Sequence, residues 1–491
     1  MNDPDYEPLN ILFISTHLPR EGVSAGAGRV FSMLKSISRY HKITLIALAT
    51  EEEKKDWEPL QQYCRKVYIL DRNSKHSHFP EFLLYPPWVT SEYGNREMRS
   101  TIKRELKNGD YDLVQFEFLE GCCNLPSLSG IPSVLTHHEI KSSLFLESFK
   151  REEKIFAKIK NLLKWLLMLR FELQSCRFFT TLVTINEEEG KLFRRYLHGF
   201  KNVTIPMGVD CDYFSPKDVV PEANSMVFVG YFGHYPNVDA VFYLVKEIIP
   251  LVRRKIPSLK VYIVGSYPSQ EILNLRQEEG VVVTGKVPDI RPYLSKACIF
   301  VAPIRLGGGM RGKILEAMAM GKAVVTTPRG ASGLRAQNEK EIIIAEMQEE
   351  FADRIVELLL DKDKRERIGQ SAMKMVRSEY EWELQADKYL KLYQELVKKS
   401  ILCIDEQMTR QGGGSNCLFN FIMRVNREKF LPIIASPEGD LVTRFQSEGG
   451  KAFITVFPRI WRVSLKIGKL KFFNPLALFV NIIRLLPLAG R

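Results

Sequence analysis

The sequence predicts an α/β protein with two doubly wound parallel-sheet domains and an incomplete third α/β unit. Short apolar runs alternate with amphipathic stretches over residues 10–205, and the alternation starts again near residue 226 and a third time after residue 400. At 491 residues the chain exceeds one ordinary core, so two or three domains are expected. We expect a cleft between the two complete sheets.

Composition and charge favour a cytosolic protein with an anionic partner. Hydrophobic residues make up 45% of the chain and charged residues 26%, as in soluble globular proteins. The formal net charge of +12 suits nucleotide phosphates, an anionic membrane surface or nucleic acid. Nucleic acid is the least favoured because RNA-module and zinc-finger signatures are absent. The eight cysteines form no Cys-x-x-Cys pair, so we expect reduced thiols and no structural zinc.

The first sheet begins with a buried strand and a loop of small residues. Its strands are predicted at 10–15, 43–49, 67–70, 111–116, 132–136 and 181–185. Gly26, Ala27 and Gly28 follow the first strand, where open α/β sheets bind ligands. A dinucleotide-binding oxidoreductase is a weak alternative, since the third glycine of that fingerprint is missing.

Two histidines and a carboxylate follow the strand at 132–136. His137, His138 and Glu139 therefore lie at the sheet edge where such folds place chemistry. An exposed loop pair is the alternative. A metal site is less favoured because adjacent side chains rarely converge on one ion.

A basic amphipathic helix is predicted over residues 150–179. Its apolar face comprises Ile155, Ile159, Leu162, Leu163, Leu166, Leu167 and Phe171, and its charged residues are mostly lysine and arginine. Such a helix can lie on an anionic membrane, or it can pack on its own domain with a solvated basic face. Asn186 is predicted to cap the next helix.

The second sheet restarts after a linker at 206–216. Its strands are predicted at 226–230, 260–265, 281–285, 299–302 and 323–327, with helices at 237–249, 289–297, 310–320, 351–360, 364–376 and 382–398. Asn237 is predicted to cap the first of these helices.

A glycine-rich loop before the helix at 310–320 predicts an anion site. Gly307, Gly308 and Gly309 expose backbone N–H groups, and the helix adds about half a positive charge at its start. Arg311 and Lys313 are unfavourably placed in a first helical turn unless they face a bound anion. Glu316 can accept hydrogen bonds from vicinal hydroxyls. A plain strand–loop–helix with exposed charges is the alternative.

Residues 400–491 read as the start of another α/β unit, with the layout of residues 10–50. The apolar tail at 472–488 suggests a core helix, with a membrane-lying or partner-docking helix as the alternatives.

Together, these motifs resemble the retaining, nucleotide-sugar-dependent glycosyltransferases of family 4, which have the GT-B fold (glycosyl transferases group 1). The matching segments are MGVDCDYF at 207–214, VFVGYFGHYPNVDAVFYLVKEIIP at 227–250, VTGKVPDIRPYLSKA at 283–297 and APIRLGGGMRGKILEAMAMGKAVVTT at 302–327, with Trp382 opening the last helix. The resemblance covers residues 10–398, and residues 400–491 resemble a partial second N-terminal unit.

The resemblance implies two Rossmann-like domains, with an acceptor domain at 1–205 completed by the crossing helix at 380–398 and a donor domain at 206–379. The donor-binding residues would be Gly26, Ala27, Gly28, Gly233, Val287, Arg305, Gly307, Gly308, Gly309, Met310, Arg311, Lys313 and Glu316. Lys313 and Glu316 would also be catalytic, together with His138 and with Glu139 in place of the usual aspartate, near the transferred sugar.

Two positions depart from the family pattern. A carboxylate is usual eight positions before Glu316, where this chain has Gly308. The usual arginine and lysine after the first strand of the donor domain are replaced by the segment that contains Gly233. Arg305, Arg311 or Lys313 would supply the charge instead.

The function expected is retaining sugar transfer from a nucleoside diphosphate sugar to a glycan or lipid-linked acceptor in cell-surface polysaccharide synthesis. Neither a metal nor another cofactor is expected, and nucleic acid is not expected as a partner. The location expected is cytoplasmic, with peripheral contact at the inner face of an anionic membrane left open. A GT-B-like sugar-nucleotide epimerase and a non-catalytic nucleotide-binding scaffold are the alternatives.

Overall fold

The chain divides into two compact units, Met1–Tyr393 and Gln394–Arg491. The structure is a computed structural model. It describes residues 6–21, 25–72, 86–128, 130–197, 199–404, 413–425, 430–436, 439–448, 450–454, 464–467 and 470–473.

The first sheet of the larger unit has seven parallel strands. They are β1 (Asn10–Ser15), β2 (Lys42–Ala49), β3 (Lys66–Asp71), β4 (Leu113–Glu117), β5 (Ser133–His137), β6 (Thr181–Thr184) and β7 (Asn202–Thr204). Their spatial order, β3-β2-β1-β4-β5-β6-β7, reverses direction between β1 and β4. The helices are α1 (Ala25–Ile37), α2 (Pro87–Tyr93), α3 (Arg96–Asn108), α4 (Lys141–Arg151), α5 (Ile155–Cys176) and α6 (Glu187–Tyr196).

The second sheet repeats this topology with six parallel strands. They are β8 (Ser225–Val229), β9 (Lys260–Val264), β10 (Val281–Gly285), β11 (Ile299–Ala302), β12 (Ala323–Thr326) and β13 (Ile343–Ile344), in the order β10-β9-β8-β11-β12-β13. The helices are α7 (Tyr235–Tyr243), α8 (Ile249–Arg253), α9 (Gln270–Asn274), α10 (Arg291–Lys296), α11 (Gly312–Ala319), α12 (Gln348–Leu360), α13 (Lys362–Glu379) and α14 (Trp382–Val397). Two parallel sheets of Rossmann-like order confirm the predicted α/β class.

Helix α11 is held by an apolar face and a glycine stop, as its sequence predicts. Ile314, Leu315 and Met318 are fully buried in the core of the second sheet. Gly321 ends the helix with φ at 71°, a left-handed conformation that glycine adopts without steric cost. The glycine loop is thereby fixed at the carboxyl end of β11.

The last helix returns to the first sheet after contacting the linker. Val209 N–H donates to the carbonyl oxygen of Tyr380 at 2.9 Å, and Trp382 N–H donates to that of Val209 at 3.0 Å. A Cβ atom at Gly208 would lie 2.2 Å from the Trp382 ring, so only glycine fits beside that indole. On α14, the Tyr393 hydroxyl donates to Gln115 Oε1 of β4 at 2.9 Å.

The smaller unit contains a three-stranded parallel sheet and a separate antiparallel strand pair. The sheet has the order β14 (Lys399–Ile404), β15 (Phe430–Ser436), β16 (Lys451–Ile454), and the pair is β17 (Ser464–Ile467) with β18 (Leu470–Phe473). Its helices are α15 (Gly413–Arg424) and α16 (Asp440–Ser447). The tail from residue 474 lies outside the described residues.

Two predicted elements need correction. The helix predicted over 150–179 is two helices, because Glu152 and Lys154 adopt extended backbone and let α4 and α5 pack together. Asn237 does not cap α7, which begins two residues earlier with Pro236 in its first turn, a favourable place for proline.

Other local predictions are confirmed. Asn186 caps α6, since its Oδ1 accepts from Glu189 N–H at 2.8 Å. All eight cysteines are free thiols, and all except Cys417 are buried.

Candidate active site

The carboxyl ends of the two sheets place the candidate site. In each sheet the strand order reverses beside the first strand, and open α/β sheets bind ligands at such a point. Gly26, Ala27 and Gly28 open α1 directly beyond β1, and His138 follows β5. The glycine loop at 307–309 follows β11 of the other sheet. The two edges touch, because Gly308 N–H donates to Glu139 Oε1 at 3.0 Å.

The glycine loop depends on backbone conformations that other residues adopt with strain. Gly307 has φ at 83° and Gly309 has φ at 75°, both left-handed. A Cβ atom at Gly309 would lie 3.0 Å from the carbonyl oxygen of His138. The loop therefore presents bare backbone to the edge of the first sheet, next to the buried Met310.

Arg311 acts on the loop itself in this structure. It precedes α11, and its guanidinium donates to the carbonyl oxygens of Gly308 at 2.5 Å and Leu306 at 3.2 Å. Burial lowers the pKa of Arg311, and the positive charge of Arg329 adds to that effect. Its predicted contact with an anion stays a prediction.

Lys313 is a poorly compensated cation at the start of α11. Its Nζ donates to Asn237 Oδ1 at 2.5 Å and lies 4.5 Å from the centre of the Phe228 ring. Burial lowers the pKa of Lys313 to about 7, and the positive charge of Arg311 lowers it further. An anion beside the loop would restore the charged form.

Glu316 lies one turn further along the helix, and its pKa is shifted in the opposite direction to that of Lys313. Burial raises the pKa of Glu316 to about 7, although Lys313 opposes that rise. Strongly perturbed groups of opposite type, side by side at a sheet edge, are typical of functional sites.

A buried charge network lies under the other edge of the cleft. Arg29 of α1 and Glu117 of β4 have fully buried side chains, with Arg29 NH1 3.1 Å from Glu117 Oε2. His138 Nε2 lies 2.6 Å from the same oxygen. Burial alone would raise the pKa of Glu117, but the charge of Arg29 and the hydrogen bond from His138 hold it below its usual value.

This network fixes the position of the His138 imidazole. Burial lowers the pKa of His138, although the hydrogen bond to Glu117 opposes that shift. The 2.6 Å contact holds the Nε2 side of the ring against Glu117, so Nδ1 is the ring nitrogen that this carboxylate does not occupy. The neighbouring Phe118 stacks on the imidazole with ring centres 4.1 Å apart and has φ at 71°, a strained value for phenylalanine.

Sequence reasoning missed the groups that hold His138. Tyr389 of α14 accepts a hydrogen bond from Arg29 NH2 at 2.5 Å and lies 3.3 Å from Thr136 Oγ1. Gln115 donates to Glu117 Oε1 at 2.9 Å. Polar residues within apolar strands were the available signal, since Gln115 and Glu117 interrupt the YDLVQFE run.

The remaining predicted donor residues are distributed around the cleft. Arg305 forms a two-point ion pair with Asp239, at 2.7 and 3.1 Å, and stacks on Tyr243. Gly233 lies in the turn after β8, and Val287 packs against the core beyond β10. Gly26 packs close to Phe118. The roles predicted for these residues stay predictions.

Comparison with known proteins identifies the chemistry. Residues 223–361, which contain the glycine loop, match the family model "Glycosyl transferases group 1". The chain is a glycosyltransferase. The matched segment runs from the turn before β8 to the end of α12, so the glycine loop, Lys313 and Glu316 all lie inside it.

One relative of the glycosyltransferase is the GDP-mannose-dependent alpha-(1-6)-phosphatidylinositol monomannoside mannosyltransferase of Mycobacterium tuberculosis. The two are 27% identical over 208 residues, which are 38% of this chain and 53% of the relative. The match therefore spans about half of that protein's length.

Solved structures share the fold. Sucrose-phosphate synthase from Thermosynechococcus elongatus is similar over 79% of this chain and 99% of its own, with a TM-score of 0.61 and 17% identity. Anabaena HepE in complex with UDP and glucose is similar over 78% of this chain and 99% of the HepE chain, with a TM-score of 0.55 and 15% identity. The glycosyltransferase thus has the GT-B fold, and the epimerase and scaffold alternatives gain no support.

Two further observations concern metals and membranes. Within the described ranges, no three His, Cys, Asp or Glu side chains converge in a way that could hold a metal ion. Metal-free donor binding stays a prediction. Among the described helices, none is both long and apolar enough to span a bilayer.

Lys313→Met and Lys322→Met should affect stability in opposite directions. Both lysines have pKa values lowered by burial, but Lys322 Nζ donates to the carbonyl oxygens of Ser295 and Ala297 at 3.0 and 2.8 Å. Lys322→Met should lower the free energy of unfolding by about 1–3 kcal/mol, because two carbonyl oxygens lose their hydrogen-bond donor. Lys313→Met should be stabilising, on the order of 1 kcal/mol, because the burial cost that it removes exceeds the one hydrogen bond to Asn237 Oδ1 that it loses.

Thermal unfolding at several pH values checks this prediction. A cation with a lowered pKa destabilises the fold most at low pH, and the cost fades as the pH rises from about 7 towards the unfolded value of 10.5. The gain from Lys313→Met should therefore be largest near pH 6. A loss of stability equal to that of Lys322→Met would mean that Lys313 is a structural group.

Proposed function

We propose that this glycosyltransferase moves a sugar from a nucleoside diphosphate sugar to a glycan or lipid-linked acceptor, with retention, in cell-surface polysaccharide synthesis. The observation that carries the proposal is the glycine loop at the start of α11, with Lys313 and Glu316 beside it at the reversal point of the second sheet. Backbone N–H groups and a helix start suit a diphosphate. A cation whose pKa is lowered to about 7 suits a group that becomes charged when an anion arrives.

In this proposal each side of the cleft has its own task. The N–H groups of Gly307 to Met310 and the ammonium group of Lys313 hold the diphosphate. Glu316 binds the ribose hydroxyls, and the backbone near Val287 receives the base. Gly26 to Gly28 approach the phosphates from the first sheet. In the structure Glu139 accepts from Gly308 N–H. When the sugar nucleotide binds, one of its phosphates replaces Glu139 as the acceptor for that amide.

The proposed reaction replaces the diphosphate by an acceptor hydroxyl at the anomeric carbon. Negative charge gathers on the leaving diphosphate in the transition state. Fixed N–H groups and Lys313 stabilise that charge without having to reorganise, as an oxyanion hole does. His138, fixed by Glu117 through Nε2, presents its imidazole near the transferred sugar. The UDP and glucose in the HepE complex and the GDP-mannose dependence of the mycobacterial relative support this donor class.

Lys313→Ala should lower turnover by about 100- to 1,000-fold, since one preorganised donor is worth about 2.7–4 kcal/mol. Glu316→Ala should lower kcat/KM by about tenfold or more, because the ribose hydroxyls lose a charged acceptor. The donor is first identified by thermal stabilisation across a panel of sugar nucleotides, because ligand binding to the native state raises stability. Transfer is then measured with that donor and an acceptor panel. Lys255→Ala, on an exposed lysine paired with Asp353, is the control. Full activity of both site variants would contradict this assignment.

We infer further that helix α5 contacts an anionic lipid surface, which suits a lipid-linked acceptor. Its first turns point apolar side chains outward, with Phe156 86% and Leu163 55% exposed. Most of the apolar face predicted from the sequence is thus exposed up to Leu167, although Leu162 is half-buried, and Met168 is the first fully buried residue of the helix. The lysines of the same helix supply positive charge. An exposed apolar stripe with basic neighbours is typical of interfacial helices.

Vesicle co-sedimentation tests the lipid contact. The chain should bind vesicles that contain an anionic phospholipid more tightly than zwitterionic ones, and salt should weaken binding. Phe156→Ser/Leu163→Ser should bind at least about tenfold more weakly, since each inserted side chain is worth about 1.5–3 kcal/mol. Val220→Ser, at a side chain that is 92% exposed elsewhere, is the control. Equal binding of the double variant and the native chain would contradict the inference.

A further inference from the structure

Glu189 is a buried carboxyl group that the sequence analysis assigned no role. It lies in the first turn of α6, and only 9% of its surface is exposed. Its backbone N–H is capped by Asn186. Its Oε2 atom, however, has no hydrogen-bond partner within the described part of the chain. Buried polar atoms are rarely left unpaired in folded proteins, so this atom calls for an explanation.

The carboxyl group of Glu189 points at the glycine loop of the other sheet. A Cβ atom at Gly308 would lie 3.8 Å from Glu189 Oε1 and 3.8 Å from Glu139 Oε1. Glu139 also accepts from Gly308 N–H. Two carboxyl groups on the first sheet's side therefore meet beside Gly308, each at van der Waals distance from the position of a Cβ atom there.

The electrostatics of this pair favour a ligand with hydrogen-bond donors. Burial raises the pKa of Glu189 to about 7, and the negative charge of Glu139 adds to the rise. Nearby amides at Gly309 and Ile140 partly offset these effects. A further acid at this position would be repelled, whereas hydroxyl groups would satisfy the unpaired oxygen.

We propose that Glu189 is a specificity-determining residue that accepts hydrogen bonds from hydroxyls of the transferred sugar and, with Glu139, selects neutral sugars over uronic acids. The inference rests on the proposed function, because it requires the diphosphate to lie at the glycine loop. The sugar attached to that diphosphate then lies towards the first sheet, where both carboxyl groups are. Glu189 makes no contact with the diphosphate in this arrangement.

Binding measurements separate the sugar contact from the diphosphate contact. UDP and GDP are titrated first, and the nucleotide that binds is compared with its sugar forms, UDP-glucose and UDP-glucuronic acid or GDP-mannose and GDP-mannuronic acid. Glu189→Ala should leave the Kd of the nucleoside diphosphate within about twofold of the native value. The same variant should raise the Kd of the neutral sugar nucleotide by about tenfold or more, in line with the loss of a hydrogen bond to a charged group. Glu188→Ala, at the adjacent exposed position, is the matched control and should change neither.

A second variant covers the case in which the alanine substitution does not fold. Glu189→Gln keeps the size of the side chain and removes its charge, so it should narrow the preference for the neutral sugar over the uronic acid. The proposal would be overturned if Glu189→Ala raised the Kd of the nucleoside diphosphate and that of the sugar nucleotide equally, or if it changed neither Kd. If the native chain binds no nucleoside diphosphate, with ADP and dTDP tested in addition to UDP and GDP, the proposed function itself fails, and this inference fails with it.

Discussion

The buried ion pair between Arg29 and Glu117 is the constraint on which the first sheet's edge of the cleft depends. It joins α1 to β4, and neither side chain is exposed. His138 and Tyr389 add one hydrogen bond each, so the pair also fixes the imidazole and the returning helix α14. Two buried charges are costly to desolvate, and breaking such a pair leaves one of them uncompensated. The same contact therefore fixes both the position of the His138 imidazole and the place where the last helix docks.

The opposite edge of the cleft is organised by backbone rather than by charge pairs. Left-handed glycines, the start of α11 and a single poorly compensated lysine leave the loop ready for an anion. Glu139 occupies one loop amide in the structure. Donor binding in the proposed function thus exchanges a carboxylate from the protein for a phosphate of the ligand. Such an exchange keeps the loop amides satisfied in both states.

Most of the fold follows from sequence periodicity, but the support of the site does not. The strands and α11 were predictable because apolar runs, Asn186 as a cap and Gly321 as a stop are local signals. Arg29, Glu117 and Tyr389 lie far apart in sequence, and their meeting is set by strand order and by the path of α14. The break between α4 and α5 was missed for a similar reason. Tertiary packing, rather than propensity, turns the chain at Glu152.

A double-mutant cycle on Arg29 and Glu117 tests the central claim most directly. Arg29→Met, Glu117→Leu and the double variant are compared by their free energies of unfolding. Each single variant should lose about 3–5 kcal/mol, because it leaves a buried charge unpaired, and the double variant should lose less than the sum of the two. Additive losses would contradict the claim that this pair holds the first sheet's edge of the cleft together.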